Sequence, residues 1–500
     1  MVVKDTYYIG IDIGTQGTKG VLCRYDGTVE ADAFSPSQIF RPDAETVYED
    51  PNVIFLSVIS VIRSLTDQVG DAKENITAIG MDAQMAGIMG IDESFEAVIP
   101  LDSWLDSRCH RYTEQLQCEA GDAAIEKSGG QIIHSHASKI LWWKEEHPEA
   151  YSRVKKFVMP NGYVAGKLCG LSANEAFMDY TFLHFNVFSD NRNCRFQKEL
   201  LRDFGVDETK LPRVVAPTAL VGTVCDSYAV SCGLPKGVAV IAGCGDTAAS
   251  ALGAGIVRSN LAYDVAGTAS VFACATDQFA PDTTYKTLLF SRSVCDGIYM
   301  PLSYISGGGL CLEWLSRLTG KTLRELDEEV ITTDKREAPY FLPHFSGRTV
   351  PLDNGVSGAF LGLRADCDSG LLHRAVMEAI AYEYKTYLNI LRATSCVSDD
   401  MVAIGVGGGA KSTVFSQIKA NVLGIDYEVP AQVDSAPVAC ALLASHGIGH
   451  RSESVADLFA TKRQTVTRYR PDRALSAYYE PRVQRYQVLL DQYSHYTTGE

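Results

Sequence analysis

The sequence predicts an α/β protein built from two domains, and three observations support this prediction. Short apolar segments typical of strands alternate with longer segments whose apolar residues recur at helical spacing. Glycine-rich and polar loops follow several of the predicted strands, which is where α/β sheets bind their ligands. The length of 500 residues exceeds what one hydrophobic core usually supports, and we place the boundary so that the domains cover 1–254 and 255–500.

Composition and charge exclude several classes of function. Hydrophobic residues make up 46% of the chain, charged residues 21%, and the net charge is -16, so we expect no nucleic-acid or anionic-membrane partner. The first residues, MVVKDTYYIG, lack a basic segment followed by an apolar core, and we expect a cytoplasmic protein. The 14 cysteines contain no C-x-x-C pair, which favours buried free thiols over disulfides or zinc ligands.

The segment from Tyr7 to Gly27 predicts two strands joined by a loop of small residues. Glycines bring backbone N–H groups close to an anion, and hydroxyls donate to phosphate oxygens. Neither the P-loop nor the dinucleotide motif fits, because this loop joins two strands. The residues expected to contact nucleotide phosphates are Gly14, Thr15, Gln16, Thr18 and Lys19.

Asp12 lies inside the first of these apolar strands. A carboxylate there is costly unless it is hydrogen-bonded or faces a metal ion. We therefore interpret Asp12 as a functional, metal-facing residue, and a tight hairpin with a hydrogen-bonded aspartate is the alternative.

A second aspartate follows a predicted strand over residues 238–242, which runs into Gly243-Cys244-Gly245-Asp246-Thr247 and a helix of small residues. An aspartate at a helix start is most often an N-cap. This one follows glycines at the carboxyl end of a strand, where ligands bind. We therefore interpret Asp246 as catalytic.

The second half of the chain repeats this organisation. The segment from Leu261 to Ala275 contains a strand, Asp264, a Gly-Thr turn and another strand, and so indicates a duplicated fold. A glycine-rich turn follows the strand predicted over 401–406 and would permit close approach of a flat ligand such as adenine. A dinucleotide site over residues 405–426 is the alternative. The residues expected to bind nucleotide in this half are Gly267, Thr268, Gly307, Gly407, Gly408, Gly409 and Lys411.

A polar turn at residues 104–108 precedes a predicted helix near His110 to Glu119. Such a turn can direct an acid, a guanidinium group and an aromatic ring into a ligand site. The alternative for Asp106 is an N-cap of the helix with a surface salt bridge.

These loops together resemble the FGGY family of carbohydrate kinases, of the actin, Hsp70 and hexokinase superfamily. The first loop and residues 261–275 resemble its two phosphate motifs, residues 403–423 resemble its adenosine motif, and Asp246 matches its catalytic aspartate. The resemblance implies two ribonuclease H-like domains, each around a five-stranded mixed sheet, with a cleft between them.

The resemblance also implies a function. The expected reaction is ATP-dependent phosphorylation of a terminal hydroxyl of a small open-chain sugar or polyol, with ATP and Mg²⁺ as cofactors. A ketopentose such as D-xylulose is the first expectation, and ribulose, erythritol, glycerol and gluconate are the others. Asp246 would be the general base, and Asp12 with Asp246 would bind the metal. The residues expected to bind the substrate are Gln84, Met85, Ala86, Trp104, Asp106, Arg108 and Asp246.

The chain departs from the family pattern at four places, one of which is Leu371, where a polar residue is usual. Xylulokinases of the family usually read Q-M-H-G where this chain has Ala86, a W-N-D-x-R segment has Leu105 in place of Asn, and the glutamate that usually precedes Arg348 is missing. Two other classes remain open, an ATP-driven binding protein without sugar chemistry and a dehydrogenase. A homodimer is compatible with the resemblance.

Overall fold

The computed structural model describes residues 6–267, 269–332, 337–345, 347–353, 355–394, 396–431, 433, 435–460 and 466–498. Contacts between Cα atoms divide the chain into two compact units. Unit 1 contains residues 1–257, 291–297 and 434–462, and unit 2 contains residues 258–290, 298–433 and 463–500. Neither unit is continuous in the chain, and the single boundary near residue 254 stays a prediction.

Unit 1 is built around a sheet of seven strands in the order β14-β15-β6-β1-β2-β3, with β16 also paired to β6. A second sheet has the order β4-β5-β8-β7-β9, and β10-β13 and β11-β12 form small pairs. The strands are β1 (Tyr7–Gly14), β2 (Gly17–Arg24), β3 (Val29–Pro36), β4 (Ile39–Phe40), β5 (Tyr48–Glu49), β6 (Ile76–Ala83), β7 (Ile88–Ile91), β8 (Ala97–Asp102), β9 (Lys156–Val158), β10 (Phe177–Asp179), β11 (Ser189–Asp190), β12 (Arg195–Phe196), β13 (Arg213–Val215), β14 (Leu220–Thr223), β15 (Ala239–Ile241) and β16 (Cys244–Gly245).

Helices cover the main sheet of unit 1. They are α1 (Pro51–Val69), α2 (His110–Glu119), α3 (Gly121–Ser128), α4 (His136–Glu146), α5 (Pro148–Arg153), α6 (Pro160–Cys169), α7 (Lys198–Asp203), α8 (Asp226–Cys232) and α9 (Asp246–Gly253). Among the described residues, the segment Pro51–Asn75 alone is long and apolar enough to span a membrane by length and composition. Its buried face, which includes Val58, Ile62 and Leu65, belongs to the hydrophobic core of unit 1, as expected for a core helix.

Unit 2 repeats the strand arrangement of unit 1. Its main sheet has the order β19-β20-β18-β17-β23-β24-β25, and β21 pairs with β22. The strands are β17 (Leu261–Ala266), β18 (Ser270–Cys274), β19 (Leu289–Arg292), β20 (Tyr299–Ile305), β21 (Tyr340–Leu342), β22 (Ala359–Leu361), β23 (Val402–Val406), β24 (Asp426–Pro430) and β25 (Val466–Tyr469). β17 is antiparallel to β18 and parallel to β23, just as β1 is antiparallel to β2 and parallel to β6. The predicted duplication is therefore present in the strand pairing.

The predicted count of five strands in each sheet is wrong. The central strands β3-β2-β1-β6-β15 and β20-β18-β17-β23-β24 form the expected mixed sheets. The edge strand β14 and the two-residue strand β16, which pairs with β6, bring the sheet of unit 1 to seven strands, and the edge strands β19 and β25 do so in unit 2. Because edge strands are short and leave one side unpaired, their sequences carry a weaker periodic signal than the buried central strands.

The remaining helices are α10 (Gly308–Thr319), α11 (Leu323–Thr332), α12 (Ser369–Ala393), α13 (Thr413–Leu423), α14 (Ala436–Gly447), α15 (Val455–Ala460) and α16 (Arg473–Thr498). Of these, α14 and α15 belong to unit 1. α14 packs directly on β1 and β6 because both strands carry a glycine at the contact. A Cβ on Gly10 would lie 1.6 Å from the carbonyl oxygen of Pro437, and one on Gly80 would lie 2.2 Å from that of Cys440.

Candidate active site

Three aspartates lie at or just beyond the carboxyl ends of neighbouring strands in the main sheet of unit 1. In the parallel register, Asp12 of β1 is opposite Asp82 of β6, and Asp82 is opposite Cys244 of β16, two residues before Asp246. The carboxyl ends of parallel strands lie on the same side of the sheet, where α/β proteins bind ligands. The structure therefore brings Asp12 and Asp246 together and adds Asp82, which we did not single out from the sequence.

Asp246 is the first residue of α9, directly after Gly245 in extended conformation. Its Oδ1 accepts hydrogen bonds from the backbone N–H of Thr247 at 2.6 Å and from the Thr247 hydroxyl at 3.2 Å. Burial, and then the charge of Asp12, raise the pKa of Asp246 to about 7. A carboxyl group that titrates near neutrality is suited to accept a proton from a hydroxyl group during catalysis.

The backbone before Asp246 is held by a chain of buried hydrogen bonds. The N–H of Gly245 donates to the Thr181 hydroxyl at 2.9 Å, and that hydroxyl donates to Oδ1 of Asp179 at 2.5 Å. The second oxygen of Asp179 accepts from the Asn161 amide at 3.2 Å. The turn that carries Asp246 is thus anchored on two further elements, which reduces its freedom to move.

Met85 and Ala86 lie beside this turn. A Cβ on Gly245 would lie 2.5 Å from the sulfur atom of Met85, so the thioether packs directly against the glycine. Ala86 is only 7% exposed and has a φ of 61°, a left-handed conformation that is uncommon for residues other than glycine.

Asp82 is fully buried, and its Oδ2 accepts a weak hydrogen bond from the Cys440 thiol at 3.2 Å. Its Oδ1 has no hydrogen-bond partner among the described residues. Burial, followed by the charges of Asp12, Cys244 and Asp246, raises the pKa of Asp82 well above its usual value. The signal that identified Asp12, an aspartate in an apolar strand, is equally present at Asp82.

The hairpin between β1 and β2 places its polar residues in different directions. Lys19 is half exposed, and its Nζ lies 3.5 Å from Oδ2 of Asp12. Gln16 is exposed at the tip of the hairpin, whereas the hydroxyl of Thr18 faces α1 and lies 2.6 Å from that of Ser57. Thr18 is therefore turned away from the exposed tip on which Gln16 lies.

Thr15 connects the hairpin to the two predicted sugar-binding loops. The indole N–H of Trp104 donates to the Thr15 hydroxyl at 3.0 Å, and that hydroxyl donates to Oε1 of Gln84 at 3.3 Å. The Gln84 amide in turn donates to Glu49 at 2.6 Å. Burial raises the pKa of Glu49 to about 7. Predicted phosphate-binding and sugar-binding side chains thus form one hydrogen-bonded series.

Asp106 and Arg108 belong to a buried cluster of charges. The Arg108 guanidinium donates to Oδ2 of Asp106 at 2.8 Å and to Oδ1 of Asp102 at 2.6 Å, and it lies 4.2 Å above the ring of Trp142. Asp106 also accepts from the backbone N–H of Val47 at 2.8 Å. The N-cap alternative for Asp106 is wrong, because α2 begins at His110 and Asp106 is only 2% exposed.

The predicted nucleotide-binding loops of unit 2 follow β17, β20 and β23. These strands all run in the same direction, so their carboxyl ends lie on the same side of the sheet. Gly307 directly precedes α10, and Gly407 has a φ of 78°. A Cβ on Gly409 would lie 2.4 Å from Cβ of Ala266, so this turn requires glycine. Gly408 is the first residue and Lys411 the last residue of a short 3-10 helix, and Lys411 is exposed. Gly267 directly follows β17. Thr268 lies outside the described residues.

Asp264, which parallels Asp12 in the sequence, has a different environment. Its carboxylate is fully buried and forms an ion pair with the fully buried Lys419. The phenol groups of Tyr384 and Tyr427 also donate to it, at 2.8 and 2.5 Å. Asp264 therefore forms a structural ion pair, and its similarity to Asp12 is limited to the local sequence pattern.

The described residues contain no group of three or more His, Cys, Asp or Glu side chains arranged to hold a metal ion. Mg²⁺ usually binds proteins through one or two carboxylates and completes its shell with water and substrate phosphates. Asp12 and Asp246, two neighbouring carboxylates at the carboxyl ends of strands, fit this requirement.

Comparison with known proteins identifies relatives over nearly the whole chain. The model of the N-terminal domain of the FGGY family of carbohydrate kinases matches residues 7–253, and that of its C-terminal domain matches residues 263–448. The chain is 26% identical to a xylulose kinase of Lactococcus lactis over 89% of this chain and 88% of the relative. It is 25% identical to a gluconokinase of Bacillus subtilis, again over 89% and 88%.

Solved structures show the same fold. The crystal structure of a "xyloylose kinase" from Brucella ovis superposes with a TM-score of 0.88 at 26% identity, and the match covers 97% of this chain and 99% of that one. The predicted two-domain fold is confirmed by this likeness. Because the two family models cover both halves in the expected order, the chain belongs to the FGGY family of carbohydrate kinases.

Proposed function

We propose that this carbohydrate kinase transfers the γ-phosphoryl group of ATP to a primary hydroxyl of a neutral open-chain sugar, with D-xylulose as the preferred substrate. Asp246 carries the proposal: a carboxyl group at the start of a helix, with a pKa raised to about 7, directly after Gly245, whose N–H donates to the buried Thr181 hydroxyl. Phosphoryl transfer needs a group that receives the hydroxyl proton, together with positioning and charge neutralisation. Asp246 is the general base in this mechanism.

The residues proposed to bind nucleotide are found in each unit. In unit 1, Thr15 is the proposed phosphate contact; in unit 2, Gly267 and Thr268 are the proposed phosphate contacts, and the turn at Gly407 would bear the adenosine group. Asp12 and Asp246 are the carboxylates that would hold Mg²⁺, and the ion would supply charge neutralisation for phosphoryl transfer.

The charges around the sugar loops favour a neutral substrate over a sugar acid. Arg108 is paired with Asp102 and Asp106 and is mostly buried. A sugar carboxylate would have to displace one of these aspartates, and the displaced carboxylate would remain buried without its partner. This argument favours ketoses and polyols over gluconate, the substrate named for one relative.

The test is an ATP-coupled assay of kcat/KM for D-xylulose, L-xylulose, D-ribulose, erythritol, glycerol and gluconate. We expect D-xylulose to lead and gluconate to be at least tenfold poorer. If gluconate or glycerol leads, the proposed substrate is wrong. If no ATP is consumed with any compound, the proposed phosphoryl transfer to an open-chain sugar fails as well.

The metal assignment predicts the behaviour of Asp12→Ala. This variant loses the carboxylate that faces the metal but keeps the sugar loops, so the Mg²⁺ concentration needed for half-maximal rate should rise at least tenfold. Asp67→Ala is the matched control, since it removes an exposed carboxylate of α1 that is paired with Arg63. Titration of Mg²⁺ at constant ATP measures the effect, and an unchanged Mg²⁺ dependence in Asp12→Ala would refute metal contact.

A further inference from the structure

Lys139 is a lysine on α4 that is only 1% exposed. Its Nζ donates hydrogen bonds to two backbone carbonyl groups, that of Ser103 at 2.6 Å and that of Ala86 at 3.1 Å. Lysine is almost never buried completely unless it is paired, because removing an ammonium group from water is costly. The described contacts of this ammonium group therefore have to offset a large desolvation cost.

The two carbonyl groups belong to the two predicted sugar-binding loops. Ala86 is in the loop that carries Gln84, and Ser103 directly precedes Trp104. Ala86 holds a left-handed φ of 61°, a conformation that persists only where the surroundings impose it. One ammonium group therefore joins loops that are separate in the chain, and one of its two acceptors is the carbonyl group of the residue with the left-handed backbone.

The same helix holds the second loop through two tryptophans. The ring of Trp142 lies 4.2 Å from the Arg108 guanidinium, and the indole N–H of Trp143 donates to Oδ2 of Asp102 at 2.5 Å. Lys139 and Arg108 supply two positive charges, and Asp102 and Asp106 supply two negative ones. The four charges of this cluster therefore sum to zero, which reduces the electrostatic cost of burying the lysine.

We infer that Lys139 is a positioning residue for the sugar site. Its ammonium group holds the loops at Ala86 and Ser103 against α4, which places Gln84 and Trp104 so that both contact the same sugar. The inference rests on the proposed function, because it requires these loops to bind the sugar. Lys139 itself does not touch the substrate. Its effect is therefore on sugar affinity, with little effect on the transfer step.

The experiment compares Lys139→Met with the wild-type protein, using the best substrate of the panel. Methionine preserves the length of the side chain and removes the charge and the donors. We expect the KM for the sugar to rise at least tenfold and the kcat at saturating sugar to change less than threefold, while the KM for ATP, which Trp104 can affect through Thr15, rises by a smaller factor than the KM for the sugar. Lys139→Gln keeps one donor group, and its KM for the sugar should lie between those of the other two proteins.

Lys385→Met is the matched control in unit 2. Lys385 is also buried, and its Nζ donates to a backbone carbonyl group, that of Leu423, at 3.1 Å. Its loss should lower the melting temperature without changing the KM for the sugar. A general effect of removing a buried lysine would instead appear equally in both variants.

The inference is overturned if folded Lys139→Met keeps the wild-type KM for the sugar, or if the KM for ATP rises by at least as large a factor as the KM for the sugar. If Lys139→Met does not fold, Lys139→Gln decides by the same two criteria. Wild-type protein that is inactive on the whole panel would refute the proposed function and this inference together. Wild-type activity with an unchanged KM in the variants would refute this inference alone.

Discussion

At the scale of single residues, the environment of Asp246 predicts how the rate depends on pH. Its pKa is raised to about 7, so the carboxyl group is protonated below that pH and cannot accept a proton from the sugar. The kcat/KM for the limiting sugar should therefore rise between roughly pH 5 and 8, with an apparent pKa that lies above the usual aspartate value but below about 7, because the positive charge of bound Mg²⁺ opposes the effect of Asp12. A rate that is independent of pH over this range would contradict the general-base role.

The variant Asp246→Asn tests the same residue directly. It should retain sugar binding and lower kcat by roughly 10²-fold to 10⁴-fold, the usual contribution of a positioned general base. Asp226→Asn is a matched control, because Asp226 is also the first residue of a helix but is exposed and paired with Lys236. Near-normal turnover in Asp246→Asn would remove this residue from the mechanism.

Ala86 predicts a change of substrate ranking. Histidine tolerates the left-handed conformation of this position better than most residues, and it adds a hydrogen-bonding side chain beside the Gln84 loop. Ala86→His should shift the ranking of the panel sugars by about tenfold, the size expected of one good hydrogen bond. Ala86→Gly is the control, since it relieves the backbone without adding a partner. Equal rankings in all three proteins would show that this position does not contact the sugar.

At the scale of elements, the Thr15 series joins the first hairpin to both sugar loops. Trp104→Phe keeps the ring but removes the N–H that donates to Thr15. If Thr15 contacts phosphate, the KM for ATP should rise roughly threefold to tenfold, as for the loss of one hydrogen bond, although Trp104 belongs to a sugar loop. Trp314→Phe in unit 2 is the control, and equal KM values for ATP in both variants would contradict this coupling.

The ion pair between Asp264 and Lys419 predicts an effect on stability. Lys419→Met leaves a buried carboxylate without its cationic partner, which costs roughly 3–5 kcal/mol in comparable pairs. The double variant Asp264→Asn with Lys419→Met should recover part of this loss, because neither charge remains. Thermal and denaturant unfolding of the three proteins measures the coupling. Additive losses would show that the pair is not coupled.

The loop around Arg348 illustrates how one element replaces a residue missing from another. The glutamate expected before Arg348 is absent, but Glu383 on α12 lies 3.5 Å from the guanidinium and 3.3 Å from Nε2 of His344. Although burial alone would raise it, these neighbours hold the pKa of Glu383 below its usual range. The sequence around Arg348, taken alone, therefore indicates that a negative charge is missing, although Glu383 of α12 supplies one.

At the scale of the whole molecule, the features that could be predicted from the sequence are those that depend on residues close to one another in the chain. The turn at Asp246, the glycines at Gly407 and the first hairpin are encoded within a few positions, and their elements form close to the predicted bounds. Partners distant in the chain could not be predicted. Asp12 and Asp264 share a local pattern, and only Lys419, 155 residues beyond Asp264, makes the second one structural. The contacts of Lys139 and Thr15 depend on tertiary structure in the same way.

The place of α14 has a consequence for synthesis of the chain. This helix covers Gly10 and Gly80 of the first sheet, yet it is translated after most of unit 2. During translation the amino-terminal half therefore emerges with one glycine-lined face of its sheet exposed, and it cannot complete its core until about residue 450 has left the ribosome. The nascent chain must remain unaggregated for most of its elongation time, and a fragment that ends at residue 257 would lack this cover permanently.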